Sequence, residues 1–335
     1  MGHVAAIRRR ASPRSARIML AMSTMLACAA AAAQAGPGPQ TAEQALHPSR
    51  KGHGSFSIGY QQTYVNGLRT NDSTVLDVGE GTMRSLHLDF IYFLSDAWSV
   101  SAGIPYVSNV FHGSPHCPTT TPPQCRNVPP LDPPHPESNF QDDGHYHGTW
   151  QDWNLGLAWH TTVHGNYLLT PSLTLWYPSH DYVFFSNAAA GQRIWKLEPS
   201  LELAHQFDFS NLYYRARYSY FYTEKVLDTR LNHHRLELEL GYFVNEHLTL
   251  RGFTMGKKGQ GYALAELGPL TAGRTNAYWY HHDQLAKHNF AEAGLGLDYH
   301  FNAPYTLSAA WHQMVWGESV INFRHAFEMR LVREF

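Results

Sequence analysis

Beyond residue 35 the sequence contains no apolar run of the ~18–20 residues that a membrane-crossing helix needs, which excludes helical insertion of that part of the chain. The formal net charge is only −2, which argues against a nucleic-acid partner. Charged residues make up 16% of the chain and aromatics 13%, a balance too rich in strand formers for disorder. No G-x-S-x-G segment, glycine-rich phosphate loop or paired-carboxylate signature occurs. His87 and His312 have no serine in a recognisable catalytic motif beside them, so the sequence reads as a non-enzyme with no cofactor. Cysteine is scarce as well: Cys28, Cys117 and Cys125.

The first residues are a targeting segment. Arg8, Arg9, Arg10, Arg14 and Arg17 precede an apolar run from Ile18 to Ala33, and Ala33, Gln34 and Ala35 form an A-x-A cleavage site. Residues 1–35 therefore read as a secretory signal peptide and are set aside from the fold. Cys28 after Met25, Leu26 and Ala27 loosely matches a lipoprotein signal, but Met25 stands where leucine is wanted. Residues 36–53, rich in Pro, Gly and polar side chains, read as a flexible periplasmic arm. In an oxidising compartment Cys117 and Cys125, both in one loop, are expected to form a disulfide.

What the chain does have is period-two alternation. Counting back from Phe335 in steps of two gives Arg333, Leu331, Met329, Phe327, His325 and Phe323, a mostly apolar face. Glu334, Val332, Arg330, Glu328, Ala326 and Arg324 lie between them, too charged a face for a packed core. Apart from Arg333 and His325, this stretch resembles the closing strand of a bacterial outer-membrane β-barrel, whose terminal Phe and alternate apolar residues address the barrel assembly machinery. The same grammar recurs upstream. Phe56, Ile58, Tyr60 and Tyr64 alternate with polar residues, and Leu236, Leu238 and Leu240 alternate with Arg235, Glu237 and Glu239. About twelve such strands are expected over residues 54–335, with short connections after even strands and long ones after several odd strands. Gly67 to Gly81 is expected as a polar loop, strand six from about Arg193 to His205, strand nine over Leu248 to Met255, and the longest loop over 108–148. A soluble sandwich has no reason to sort its loops by parity. Aromatics also recur at the short-turn end, as Trp98, Trp159, Tyr242, Tyr299, Tyr305 and Phe335 do. The predicted fold is all-β, a transmembrane up-and-down antiparallel β-barrel in the bacterial outer membrane, monomeric and surrounded by outer-membrane lipid.

With the polar face inward, the lumen is expected to be lined by Asp89, Asp152, Lys196, Glu198, Glu202, Arg215, Arg217, Arg235, Glu237, Glu239, Arg251, Glu292, Asp298, Arg324, Glu328 and Arg330. Such a wall is either braced by its own cross-strand ion pairs or forms a polar conduit that selects solutes. Histidine is the compositional anomaly, with 22 in the chain. His145 and His147, beside Asp142 and Asp143, and His281 and His282, beside Asp283, are candidate ligands for a divalent transition metal, at spacings that fit no established motif.

Leu94–Trp98 running into Ile104, Pro105 and Tyr106, then Asp152–Leu157, and Pro171–Leu175 leading to Pro178, resemble a bacterial family of transporters of the meta-pathway of phenol degradation. That resemblance implies an outer-membrane barrel associated with aromatic compounds and supplies no catalytic residue. The function expected from the sequence is passive passage of a small solute, with aromatic compounds the class implied by the resemblance. The alternative is a surface barrel that binds divalent transition metal through its histidine-rich loops.

Overall fold

The computed structural model describes residues 46, 51–113, 141–142, 144–271, 277–301 and 304–335. Twelve antiparallel staves close on themselves: β1 (Gly54–Arg69), β2 (Val75–Phe93), β3 (Trp98–Gly113), β4 (Trp153–Trp159, preceded in line by His147–Trp150) and β5 (Tyr167–Tyr177). The circuit continues through β6 (Lys196–Gln206), β7 (Leu212–Thr223), β8 (His233–Phe243) and β9 (Leu248–Gly259). It ends with β10 (Asn289–His300), β11 (Tyr305–Glu318) and β12 (Val320–Glu334). Each stave pairs with its sequence neighbours, and β12 returns to β1 in the register Ser55↔Glu334. Closure leaves no unpaired edge, the condition for strands to cross a bilayer.

Turn chemistry fixes the short-connection end. Between β2 and β3, Ser95 Oγ accepts from the amides of Ala97 and Trp98 at 3.3 and 3.0 Å. Between β8 and β9, Asn245 Oδ1 accepts from His247 and Leu248 at 2.8 and 2.9 Å. Side chains that bond their own backbone two or three residues on are what tight turns require. The last residues of the expected N-terminal arm are tied down at this end. Gly52 N donates to Phe93 O at 2.9 Å, and Phe93 N donates to His53 O at 2.9 Å.

The outer face is apolar. Leu86, Leu155, Leu173, Leu201, Leu238 and Leu295 are exposed on six different staves. Trp98, Trp159, Tyr242, Tyr299 and Tyr305 ring the short-turn end, and Tyr106, Trp150, Tyr177, Tyr222 and Trp316 lie toward the other. Leucines between two aromatic girdles make the lipid-facing belt of a membrane barrel. Only the first girdle was expected from the sequence.

Three expectations are corrected. The polar stretch 67–81 is not a loop: β1 and β2 run on together, pairing Leu68 with Leu76, to a turn at Thr70–Thr74. Strand nine extends past Met255 to Gly259. Residues 193–195, expected to start strand six, belong to the preceding connection. The expected signal peptide, Cys117, Cys125 and most of the expected 108–148 loop lie outside the described residues; 108–113 and 147–148 belong to β3 and to the segment leading into β4.

Gly241 of β8 faces Tyr213 of β7. A Cβ added there would sit 2.3 Å from the Tyr213 ring, so glycine is what lets the ring lie across the ladder. Gly241→Val is expected to cost about 1–3 kcal/mol, read as a lower midpoint for urea unfolding from lipid vesicles.

Candidate functional site: the lumen and its plug

The charged wall is a continuous ladder. On β7–β10, Glu239 lies 3.6 Å from Arg215 and 3.4 Å from Arg251, and Arg251 lies 3.5 Å from Asp298. Tyr213 adds a hydroxyl donated to Glu239 at 3.0 Å. Beside it, Glu198 of β6 accepts from Arg217 and from the Trp176 indole, each at 2.9 Å. Arg330 of β12 crosses Gly59 of β1 to reach Asp89 of β2 at 3.3 Å, and also holds Glu328 at 3.1 Å. Glu292 meets His312 at 3.1 Å, Arg235 pairs with Glu237, and Glu202 stands opposite Arg217. Lys196 pairs with Asp152 at 3.4 Å, both side chains 1% exposed.

Fifteen of the sixteen expected wall residues thus sit on the buried face, by the burial row and these pairs. Arg324 does not. A bulge between Tyr64↔His325 and Val65↔Phe323 breaks the alternation, so Arg324 is exposed and Phe323, expected against lipid, is buried. A second break, at Gln151 and Asp152, buries both of these consecutive side chains.

Across from the ladder the wall is small and hydroxylic: Ser99 and Ser101 of β3, Gly156 of β4, Ser172 and Thr174 of β5, and Ser200 of β6. Between the two walls lies a cavity of about 200 Å³, reached by Arg215, Arg217, Arg235, Glu237, Glu292 and Glu328. Long charged side chains thus face short neutral ones, and the space is what the short ones leave. The charges brace one another and line a polar space at the same time, so the two readings of the wall are compatible.

Above this cavity the β5–β6 connection, residues 178–195, folds against the inner wall. Asn109 Nδ2 donates to Ala189 O at 2.9 Å, Gln151 Nε2 donates to Ala190 O, and Tyr182 packs with Val107 and Ala190. The Tyr182 hydroxyl donates to Asp152. Burial, with Asp152 beside it, pushes this phenol well above its ordinary range and keeps it a donor. The β9–β10 connection, which carries the helix α1 (Leu264–Leu270), locks onto this segment. Phe184 meets the edge of Tyr280, Gln192 Nε2 donates to Asp283 O at 2.9 Å, and Gln284 Nε2 donates to Gln192 O at 2.6 Å. Together they form a plug of two interlocked segments at the long-loop end. Nothing periodic marks it in sequence; the run of Phe184, Phe185, Ala188, Ala189 and Ala190, more apolar than a solvated loop, was its only signal.

A carboxylate pair stitches the plug. Asp142 accepts from Ser186 Oγ, the amides of Asn187 and Ala188, and Asn187 Nδ2, at 2.6 to 3.0 Å. Asp283 is fully buried, and among the described residues only the Ser186 backbone and His282, at 3.6 Å, offer its carboxyl polar contact. Burial, and then the nearby Asp142 charge, hold its carboxyl well above the ordinary carboxylate range. Burial raises the Asp142 carboxyl too, but its four donors pull the other way, so Asp142 is the member better placed to carry the charge and Asp283 the one better placed to hold a proton.

The histidines do not converge. His145 is exposed and His147 half-buried at the start of the segment leading into β4. His281 Nδ1 lies 2.6 Å from Gln284 Oε1, and His282 is buried edge-on to Phe185 with Nε2 3.6 Å from Asp283. Among the described residues no group of three His, Cys, Asp or Glu is placed to hold a metal ion.

No family model matches the chain, and no curated protein does. The segments that resemble the phenol-pathway transporters fall on a turn (Leu94–Trp98) and on staves β4 and β5, positions that any such barrel needs. In fold the chain is similar to an outer membrane channel from Pseudomonas putida F1, with a TM-score of 0.64 and 12% identity over 90% of this chain and 100% of that one. The NanC porin aligns at a TM-score of 0.45 with 14% identity, covering 84% of this chain and 98% of that one. A mutant of the TodX monoaromatic hydrocarbon channel aligns at 0.40 with 10% identity, covering 85% and 90%. The fold is that of an outer-membrane β-barrel, and its lipid-facing belt places the chain in the bacterial outer membrane.

Proposed function

We propose that this barrel gives passive passage to a small organic solute, with aromatic compounds as the class to test first. The carrying observation is the polar cavity between the hydroxyl wall and the charged ladder. A barrel this narrow can be filled by its own side chains, and here one half of the wall is kept small. The solute moves down its gradient, without an energy source, when the two plug segments part. The closed sheet satisfies its own edges, which supports a monomer, and β12 is the stave presented to the barrel assembly machinery.

The test is conductance of the mature chain in a planar bilayer. Wild type is expected to show brief, small openings. Phe184→Ala with Phe185→Ala, which removes the rings that hold Tyr280 and His282, is expected to raise the open fraction about ten-fold or more, the effect of some 1.4 kcal/mol on a closed-to-open equilibrium. Absence of current after residues 183–192 are replaced by a Gly-Ser linker sinks the proposal.

A further inference from the structure

Among the described residues, Lys257 is a cation of the upper lumen that the brace does not use. Lys257 lies on β9, opposite Arg235 of β8 and Phe290 of β10, so these three side chains share the inner face at one level. It stands near Lys196 and Arg235, and both of those are neutralised, by Asp152 and by Glu237. No described residue gives Lys257 a hydrogen bond or an ion pair, and the charges that act on it are both positive. Its neighbour His288, in the connection just before β10, is 5% exposed, and its Nδ1 has no partner. Burial, and then Lys257, push this imidazole down to about 3, so the ring is neutral at physiological pH. It offers a nitrogen that is a donor in one tautomer and adds no charge.

An apolar patch adjoins this cation. Phe290 belongs to a buried cluster with Val65, Met83, Met314 and Phe323, against which Met255, two residues before Lys257 on the same face, also packs. The Phe290 ring meets Phe323 edge-on at 6.1 Å between centroids. An ammonium with no described partner and an imidazole whose Nδ1 has none thus lie at the border of a methionine and phenylalanine surface, under the plug. A half-buried cation with no described partner is incompletely solvated, and a negatively charged guest offsets that cost. A guest whose remaining body is flat and apolar also covers the Phe290 and Met255 side.

We infer that Lys257 and His288 form a transient receptor for the carboxylate of a small aromatic acid on its way through the lumen. This inference rests on the proposed passage and gives it a solute class. Binding must be weak enough to release, as in any conduit that selects by binding, and a single ammonium with one neutral donor meets that condition. Lys257 acts here as a specificity-determining residue. Strand nine was expected to stop at Met255, which is why Lys257 stood outside the expected wall.

The test uses the mature chain in a planar bilayer in KCl, with benzoate or its neutral isostere benzamide added to one side. Benzoate is expected to interrupt the current at a concentration about ten-fold below that of benzamide, the scale of one lost charge contact. Lys257→Met, close in volume, is expected to erase that difference, and Lys257→Arg to keep it. Heat-modifiable migration on gels checks that each variant has closed its barrel. Equal potency of the two probes on wild type, or a benzoate effect untouched by Lys257→Met, overturns the inference and leaves the passage standing. Calorimetry with benzoate in micelles separates the two claims if no current flows. Heat lost in Lys257→Met then supports the receptor while passage fails; absence of heat in wild type overturns both.

Discussion

Asp152→Leu is expected to destabilise the barrel by about 3–5 kcal/mol, the cost of leaving one member of a buried ion pair without the other. The measurement is the urea midpoint for unfolding from lipid vesicles, followed by tryptophan fluorescence. Lys196 would lose its partner at 3.4 Å while remaining 1% exposed. Glu198 cannot readily replace it, because its oxygens already accept from Arg217 and Trp176. Asp152→Leu combined with Lys196→Met is expected to recover most of the loss, since an apolar pair of similar volume removes both desolvation costs. The single variant has a second readout. Tyr182 loses the acceptor that ties the plug to β4, so conductance openings should lengthen. A single variant as stable as wild type would mean that Lys196 is not held as a charge in the wall.

Raising the pH above the ordinary carboxylate value of 3.8 is expected to loosen the plug. The sign follows from proton counts. In the closed plug Asp283 is held above its ordinary value of 3.8 by burial and then by Asp142, whereas in an open plug it returns to water. Between 3.8 and the raised value the closed state binds a proton that the open state does not, so closure weakens as pH rises across that window and is undiminished below it. The other groups facing Asp283 are Asp142, which adds to the effect, and His282 at 3.6 Å, which opposes it only while protonated. Hydrogen exchange at the amides of Ser186 to Ala190 reads this directly. One proton gives up to about ten-fold lower protection per pH unit within the window. Asp283→Asn should flatten the dependence and keep the segment protected at alkaline pH. An equally steep profile in that variant would assign the titration to another group.

The staves were legible because a barrel wall has two solvents. Leu236, Leu238 and Leu240 against Arg235, Glu237 and Glu239 can be read from a single strand, and the structure places every one of them as alternation requires. Alternation fails where the backbone inserts a residue. At Arg324 and at Gln151–Asp152 the sequence carries no mark of the change, and only the ladder shows it. The end of β9 was missed for a related reason: Lys257 and Lys258 look like a solvated turn, and their separation onto opposite faces depends on the partner stave. The plug was illegible in a different sense. Residues 178–195 have no period at all, and their burial depends on contacts with Asn109, Gln151 and Tyr280 from three other parts of the chain. The loop that did attract attention, with its histidines and two cysteines, contributes Asp142 to the described structure, and that aspartate was singled out only as a neighbour of histidines.

The pairing of β1 with β12, where Gly54 and Phe335 exchange backbone hydrogen bonds at 2.9 and 3.0 Å, joins the two ends of the barrel chain. No shorter subset of staves presents both of those edges, so closure is the contact of greatest sequence separation and carries the largest loop-closure entropy. Until the twelfth stave arrives, the growing sheet has two open edges beside a face of exposed leucines, the condition under which strands pair with the wrong neighbour. Ring closure is therefore the step expected to be slow, and a chain halted before β12 is expected to aggregate rather than form a smaller channel.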